Sequence, residues 1–102
     1  MSIKVNETIT NIWNVLGKIP GKFEPDRLIV VGCHRDAWTF GAGDPISAHS
    51  TLLEVARAMG QLYKNGWQPR RSIVFASWDA EEYGLVGITV DFGGKNKECR
   101  VH

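Results

Sequence analysis

Long apolar runs are missing from this 102-residue chain. Nothing in it approaches the roughly 18–20 consecutive apolar residues of a membrane span. The opening Met1-Ser2-Ile3-Lys4-Val5-Asn6-Glu7-Thr8 lacks the apolar stretch of a secretory leader, so the chain reads as soluble and without an address. An excess of one charge is missing too: 12 Lys+Arg stand against 11 Asp+Glu, a formal +1, which gives no general pull toward nucleic acid or acidic membranes. Cysteine is scarce. Cys33 lies in an apolar run and Cys99 in a polar stretch, with no CxxC partner for either; this excludes a zinc-ribbon spacing and argues for one buried and one exposed thiol over a disulfide framework. Internal repeats and low-complexity stretches are absent. The chain does hold 43% hydrophobic residues against 23% charged, enough for one small domain and too apolar for global disorder. Asn6-Glu7-Thr8 forms a glycosylation sequon, relevant only if the chain enters a secretory compartment.

Hydrophobic patterning divides the chain into a few elements. Residues 9–19, with Ile9, Trp13 and Val15 among them, predict a strand. Pro20-Gly21 and Pro25-Asp26 then punctuate the chain as turns. Residues 28–33, Leu-Ile-Val-Val-Gly-Cys, have the continuous β-branched run of a strand buried on both faces, and this pair of strands is expected to be antiparallel neighbours. Residues 34–45 form a polar loop. A helix is predicted over about 47–65, with Leu52, Val55, Ala56, Met59, Leu62 and Tyr63 on one face, Ser47 or Ser50 as cap and Asn65-Gly66 as stop. Residues 72–78 form the next buried strand. A connection through a helix makes the strands at 28–33 and 72–78 parallel, with a right-handed crossover. After Gly87 the apolar period fails, and residues 88–102 are expected to be a divergent, flexible tail.

His34, Asp44, Glu81 and Glu82 all come after the carboxyl ends of these parallel strands, the edge where open α/β sheets build ligand sites. An imidazole with carboxylates suits zinc and similar divalent ions. Adjacent Glu81 and Glu82 cannot both point one way from an extended backbone, so one can bind metal while the other accepts a proton from water. Spacing alone leaves a second reading open: a polar loop histidine and a solvated helix start favoured by the macrodipole.

The exact strings go further. Glu24-Pro25-Asp26-Arg27, Gly32-Cys33-His34-Arg35-Asp36-Ala37-Trp38, Gly41-Ala42-Gly43-Asp44-Pro45, Gly66-Trp67-Gln68-Pro69-Arg70-Arg71 and Ala76-Ser77-Trp78-Asp79-Ala80-Glu81-Glu82-Tyr83-Gly84-Leu85 occur in this order. Together they resemble the glutamate carboxypeptidase II-like family of co-catalytic zinc exopeptidases, relatives of the transferrin receptors, over about residues 9–87. The resemblance implies an α/β fold: an incomplete part of a three-layer α-β-α domain with a mixed sheet, residues 1–87 being the N-terminal part of the catalytic domain. By the same resemblance His34 matches a ligand of one zinc, Glu82 a ligand of the other, and Asp44 the carboxylate that bridges both. Glu81 matches the general base, and Asp36 the acid that orients the ligand histidine. The implied cofactor is a pair of zinc ions and the implied partner a peptide or dipeptide substrate, in a protein anchored to a membrane or facing the extracellular or lumenal side.

Departures from the family pattern bear on the same region. Ala48 and His49 stand where the family has Gly and its successor, and the extra methyl is either tolerated or narrows the site; His49 is expected on the helix surface. Val90 occupies the place of a glutamate that binds calcium in the family, so that site is not supported. Three of the family's five zinc ligands are present. The implied function is therefore a fragment or truncated form of a di-zinc peptidase. The alternative is a catalytically inactive truncation or a non-enzymatic binding module of the same family. On either reading the 102 residues alone are expected to bind zinc weakly, to leave a sheet edge uncovered and to show no turnover.

Overall fold

The computed structural model of the chain describes residues 1–6 and 8–92. Five elements succeed one another: β1 (Val15–Ile19), β2 (Glu24–His34), α1 (Ala48–Lys64), β3 (Arg71–Trp78) and α2 (Val86–Phe92), with an irregular helical turn, Ala42–Ser47, leading into α1. The three strands form one mixed sheet in the order β1-β3-β2, an α/β arrangement. β2 and β3 are parallel, in register from Leu28 opposite Ser72 to His34 opposite Trp78, as the helical crossover predicts.

β1 and β2 are not neighbours, contrary to expectation. β3 lies between them, and β1 pairs antiparallel with β3 from Val15 opposite Ser77 to Ile19 opposite Ile73. The cause is the link between β1 and β2, which passes over the start of β3 instead of folding back as a hairpin. Lys22 N–H bonds the Pro69 carbonyl (2.8 Å), and Phe23 and Glu24 N–H bond that of Arg70 (3.2 and 3.0 Å). Buried Ser72 closes the crossing: its hydroxyl donates to the Pro25 carbonyl (2.7 Å) and accepts from Gly21 N–H (3.0 Å). Gly21 is required here, because a Cβ would lie 2.6 Å from the backbone of Arg71 and Ser72. Around the same end of the sheet Glu24 accepts from Arg27 (2.9 Å), Arg71 (3.2 Å) and Arg70.

β1 is also shorter than predicted, because the backbone before it bonds elsewhere. Trp13 N–H donates to Asp79 Oδ2 (3.1 Å), and Asn14 exchanges side-chain bonds with Asp79 N–H (2.9 Å) and the Gly87 carbonyl (2.9 Å).

α1 covers one face of the sheet. Leu52, Ile19, Ile73 and Phe75 form the buried core, with Ala56, Met59 and Cys33 packed against it. Full burial of a side chain such as Leu52 is worth about 1.5–3 kcal/mol. Val55, Leu62 and Tyr63, predicted on the same apolar face, remain largely exposed; three strands make too narrow a floor for the whole stripe. Ser47 does not cap α1 with its side chain, because its hydroxyl is turned to the Gly43 carbonyl inside the preceding turn. The helix ends as Asn65-Gly66 predicts: Gly66 takes φ 92°, and the N–H groups of Gly66 and Trp67 bond the carbonyls of Tyr63 and Leu62 (3.0 and 3.1 Å), a Schellman closure.

α2 spans the point after Gly87 where the sequence predicts a tail to begin. Its start is fixed from outside: Val86 N–H bonds the Ala80 carbonyl (3.1 Å), Thr89 N–H that of Leu85 (3.0 Å), and buried Gly87 packs so tightly on Asp79 that a Cβ would meet its carbonyl oxygen at 2.0 Å. Val90 lies on this helix. The predicted tail beyond residue 92, with Cys99, lies outside the described residues, as does Glu7 within the sequon; Asn6 is exposed. Among the described residues no helix is long and apolar enough to cross a membrane.

Candidate metal centre

Three chain segments meet at the carboxyl edge of β2 and β3. His34 is the last residue of β2. Its ring nitrogen Nδ1 lies 3.1 Å from the Asp36 carbonyl oxygen and 3.4 Å from Asp36 Oδ1. A proton on Nδ1 satisfies both acceptors and leaves Nε2 with its lone pair outward. Nε2 is 2.8 Å from Asp44 Oδ1 and 3.8 Å from Glu81 Oε2. Burial works against a charged imidazole, but Asp44, Glu81 and Asp36 outweigh it and hold the His34 pKa above its ordinary value.

Asp44 sits within the Ala42–Ser47 turn in an extended backbone conformation (φ −123°, ψ 112°), with a cis peptide bond to Pro45. Pro45 is buried, so the turn is pinned while the Asp44 side chain stays 80% exposed. Ile46 N–H bonds the Gly41 carbonyl (3.0 Å), and the turn and the start of α1 form one unit.

Glu81 and Glu82 leave β3 through a sharp bend. Ala80, almost fully buried, takes φ 54°, a left-handed conformation that costs a non-glycine residue about 1 kcal/mol. The cost is offset by what the bend allows. Ala80 N–H bonds Asp79 Oδ1 (2.9 Å), and the N–H groups of Glu81 and Glu82 point at Asp36 Oδ1 and Oδ2 (3.0 and 3.1 Å). Burial raises the Asp36 pKa, but these two N–H donors and His34 outweigh it and the carboxyl is held below its usual value. Asp36 thus ties the histidine on β2 to the glutamate pair after β3. The result is that His34, Asp44 and Glu82 offer ligand atoms all within 4.8 Å of one another.

This donor set fits a divalent cation. With Nδ1 engaged by Asp36, the Nε2 lone pair and the Asp44 carboxylate are two acceptors face to face, and only a positive species between them, a proton or a metal, relieves the contact. Two ligands of a tetrahedral zinc sit about 3.3 Å apart, slightly wider than the 2.8 Å here, and the exposed Asp44 side chain can open by that amount.

Two residues were not legible as parts of this region. Arg35, an ordinary loop charge in the sequence, is a clamp: its backbone N–H bonds the Trp78 carbonyl (2.9 Å), and its guanidinium reaches the Ser77 carbonyl (3.0 Å), Asp79 Oδ2 (3.4 Å) and the Trp13 carbonyl. Its place inside the His-Arg-Asp string was the available signal. His49, expected on the helix surface, instead turns inward, with Nε2 2.8 Å from Ser77 Oγ. Next to the centre, Gly32, Trp78, Leu85 and Ile88 wall an apolar cleft of about 210 Å³ that His34 and Glu81 also line. The six-membered part of the Trp78 ring lies against Gly32, where a Cβ would come within 2.1 Å of it. Trp38 and Tyr83, from the two loops that carry Asp36 and Glu82, pack with ring centroids 4.9 Å apart and planes tilted by 55°.

A model of peptidase family M28 matches residues 14–97, which contain the whole cluster. The chain is 55% identical over 86 residues to the probable glutamate carboxypeptidase LAMP1 of Arabidopsis thaliana, covering 83% of this chain and 13% of that protein. It is 56% identical over 82 residues to the aminopeptidase NAALADL1 of Rattus norvegicus, covering 79% and 11%. A glutamate carboxypeptidase 2 homolog of Caenorhabditis briggsae is 54% identical over 79 residues, covering 76% and 10%. The chain therefore spans only about a tenth to an eighth of the length of these relatives, and on the extent and identity of the match it belongs to peptidase family M28, among its glutamate carboxypeptidase II-like members.

Proposed function

We propose that this chain carries the metal-binding edge of a zinc-dependent exopeptidase site, within the opening part of a three-layer α-β-α domain. The observation that carries the reading is the approach of His34, Asp44 and Glu82 to within 4.8 Å. His34 and Glu82 would each hold one of two zinc ions and Asp44 would bridge them. When bound, zinc supplies Lewis acidity toward the scissile carbonyl and acidifies water. The remaining work falls to the chain itself. Glu81 Oε2, 3.8 Å from His34 Nε2, accepts the proton of the attacking water as its oxygen adds to the carbonyl carbon. It returns that proton to the departing amine nitrogen as the C–N bond breaks. Asp36 fixes the His34 ring through Nδ1 and both glutamates through their backbone N–H groups, so ligand and base keep one relative placement. Relatives are named both glutamate carboxypeptidase and aminopeptidase; the class common to both names is a peptide bond at a chain terminus, and peptides or dipeptides are the proposed substrates.

Equilibrium dialysis against zinc tests the ligand set. The full chain is expected to retain zinc, and His34→Ala, Asp44→Asn and Glu82→Gln are each expected to lower retention at least tenfold while leaving the far-ultraviolet circular dichroism unchanged. Equal retention by the unaltered chain and all three folded variants would remove the metal centre from these residues.

A further inference from the structure

The three proposed ligands come from three different elements: β2 (His34), the turn that opens α1 (Asp44) and the segment after β3 (Glu82). Their separation is therefore set by how these elements are held against one another. Asp36 ties the first to the third but does not reach α1. The helix meets the sheet through a small apolar core centred on Leu52, and apolar contacts define a distance less sharply than a directed bond does.

Beneath the centre lies a junction of all three elements. Arg35 comes directly after His34, Ser77 is near the end of β3, and His49 stands in the first turn of α1. His49 Nε2 is 2.8 Å from Ser77 Oγ. Arg35 Nη1 donates to the Ser77 carbonyl at 3.0 Å and lies 3.5 Å from the same residue's hydroxyl. His49, Arg35, Pro45 and Ile46 also line a common small recess, so the imidazole and the residues immediately after Asp44 border the same space. The Asp44 turn is rigidly continuous with the helix start: Ile46 N–H and the Ser47 hydroxyl both bond carbonyls within the Gly41–Gly43 stretch. A shift of His49 relative to Ser77 is consequently a shift of Asp44 relative to His34 and Glu82.

We infer that His49 is a positioning residue for the metal centre: through its bond to Ser77 it fixes the Asp44 turn at ligand distance from His34 and Glu82. This rests on the zinc reading proposed above. It acts through a hydrogen bond to a hydroxyl, which the imidazole can make as donor or acceptor. Glutamine can make the same bond in either sense; phenylalanine keeps the ring volume and makes none. Outer residues of this kind typically change metal affinity by about 10–100-fold.

The experiment uses the full chain with His49→Phe, His49→Gln and Ser77→Ala. Zinc affinity is read by competition with a chromophoric chelator, and ligand geometry by the visible absorption of added cobalt(II). His49→Phe and Ser77→Ala are each expected to weaken zinc about tenfold and to alter the cobalt spectrum. The double variant is expected to lose no more than either single one, and His49→Gln to keep both affinity and spectrum. A residue that merely supported the fold would lower the melting temperature and leave the spectrum of the folded protein unchanged. If His49→Phe does not fold, Ser77→Ala, which removes a single oxygen, carries the test. Wild-type affinity and spectrum in folded Ser77→Ala, or a His49→Gln protein behaving like His49→Phe, would overturn the assignment. No zinc binding by the unaltered chain would overturn the zinc reading itself, and this inference with it.

Discussion

The imidazole of His34 rests directly against the carboxylate of Asp44, with Nε2 2.8 Å from Oδ1, while its other nitrogen is engaged by Asp36. A cation that enters between these two acceptors relieves their contact, and does so in the folded state only. Zinc at 100 times its dissociation constant should therefore stabilise the chain by about 2.7 kcal/mol. Thermal melts with and without zinc measure this. The shift should vanish in His34→Ala, and an equal shift in that variant would place the bound zinc elsewhere.

Glu81 and Glu82 are adjacent but differently placed, since only Glu82 joins the ligand cluster. In a protein that carries these residues and binds zinc, Glu81→Gln should lower turnover of dipeptides by about 10²–10⁴-fold and leave zinc content nearly intact. Turnover within a factor of two of the unaltered enzyme would refute Glu81 as the base.

Asp36 accepts the N–H groups of Glu81 and Glu82 with separate oxygens (3.0 and 3.1 Å). Asparagine presents an NH₂ to one of them, so one backbone donor loses its acceptor in a partly buried setting. Asp36→Asn should cost about 1–3 kcal/mol, read as a lower urea midpoint. An unchanged midpoint would mean that the bend after β3 is held without Asp36.

At the opposite end of the sheet, the guanidinium groups of Arg27, Arg70 and Arg71 hold the Glu24 carboxyl below the usual carboxylate range. A depressed folded-state pKa contributes stability that is present above the unfolded value, about 4.3, and is lost as pH falls through the lower folded value. Glu24→Gln should therefore lower the melting temperature at pH 7 and flatten its decline on acidification below about pH 4.3. An acid limb with the same slope in both proteins would show that the carboxylate is not linked to folding.

Much of this was legible in the chain. The strand at 28–33 and the helix stop at Asn65-Gly66 depend on a β-branched run and on one left-handed glycine, both local properties; the burial expected on both faces of that strand is not found, because β2 is an edge strand with Leu28, Ile29 and Val31 exposed. The parallel pairing of β2 and β3 is a consequence of the crossover between them. The neighbour of β1 was not legible, because it depends on Gly21 and Ser72 meeting across the start of β3, residues 51 apart in sequence. The helix predicted to absorb Val55, Leu62 and Tyr63 could not reveal how narrow the sheet beneath it is. His34, Asp44, Glu81 and Glu82 stand out because their residue types suit metal chemistry at one sheet edge. His49 and Arg35 do not, since their roles come from Ser77, on a different strand, and no spacing along the chain announces it.

Because β3 has a strand on each side, its amides between Ile73 and Ser77 should be the last in the chain to exchange with deuterium. Those of the Ala42–Ser47 turn and of the bend at Ala80 lie outside any ladder and should exchange early. The chemistry is thus attached to the most slowly opening strand through segments held by local and side-chain bonds and not by a ladder. A ligand that draws Asp44 and Glu82 together would register first as slowed exchange in those two loops, with the protection of β3 unchanged.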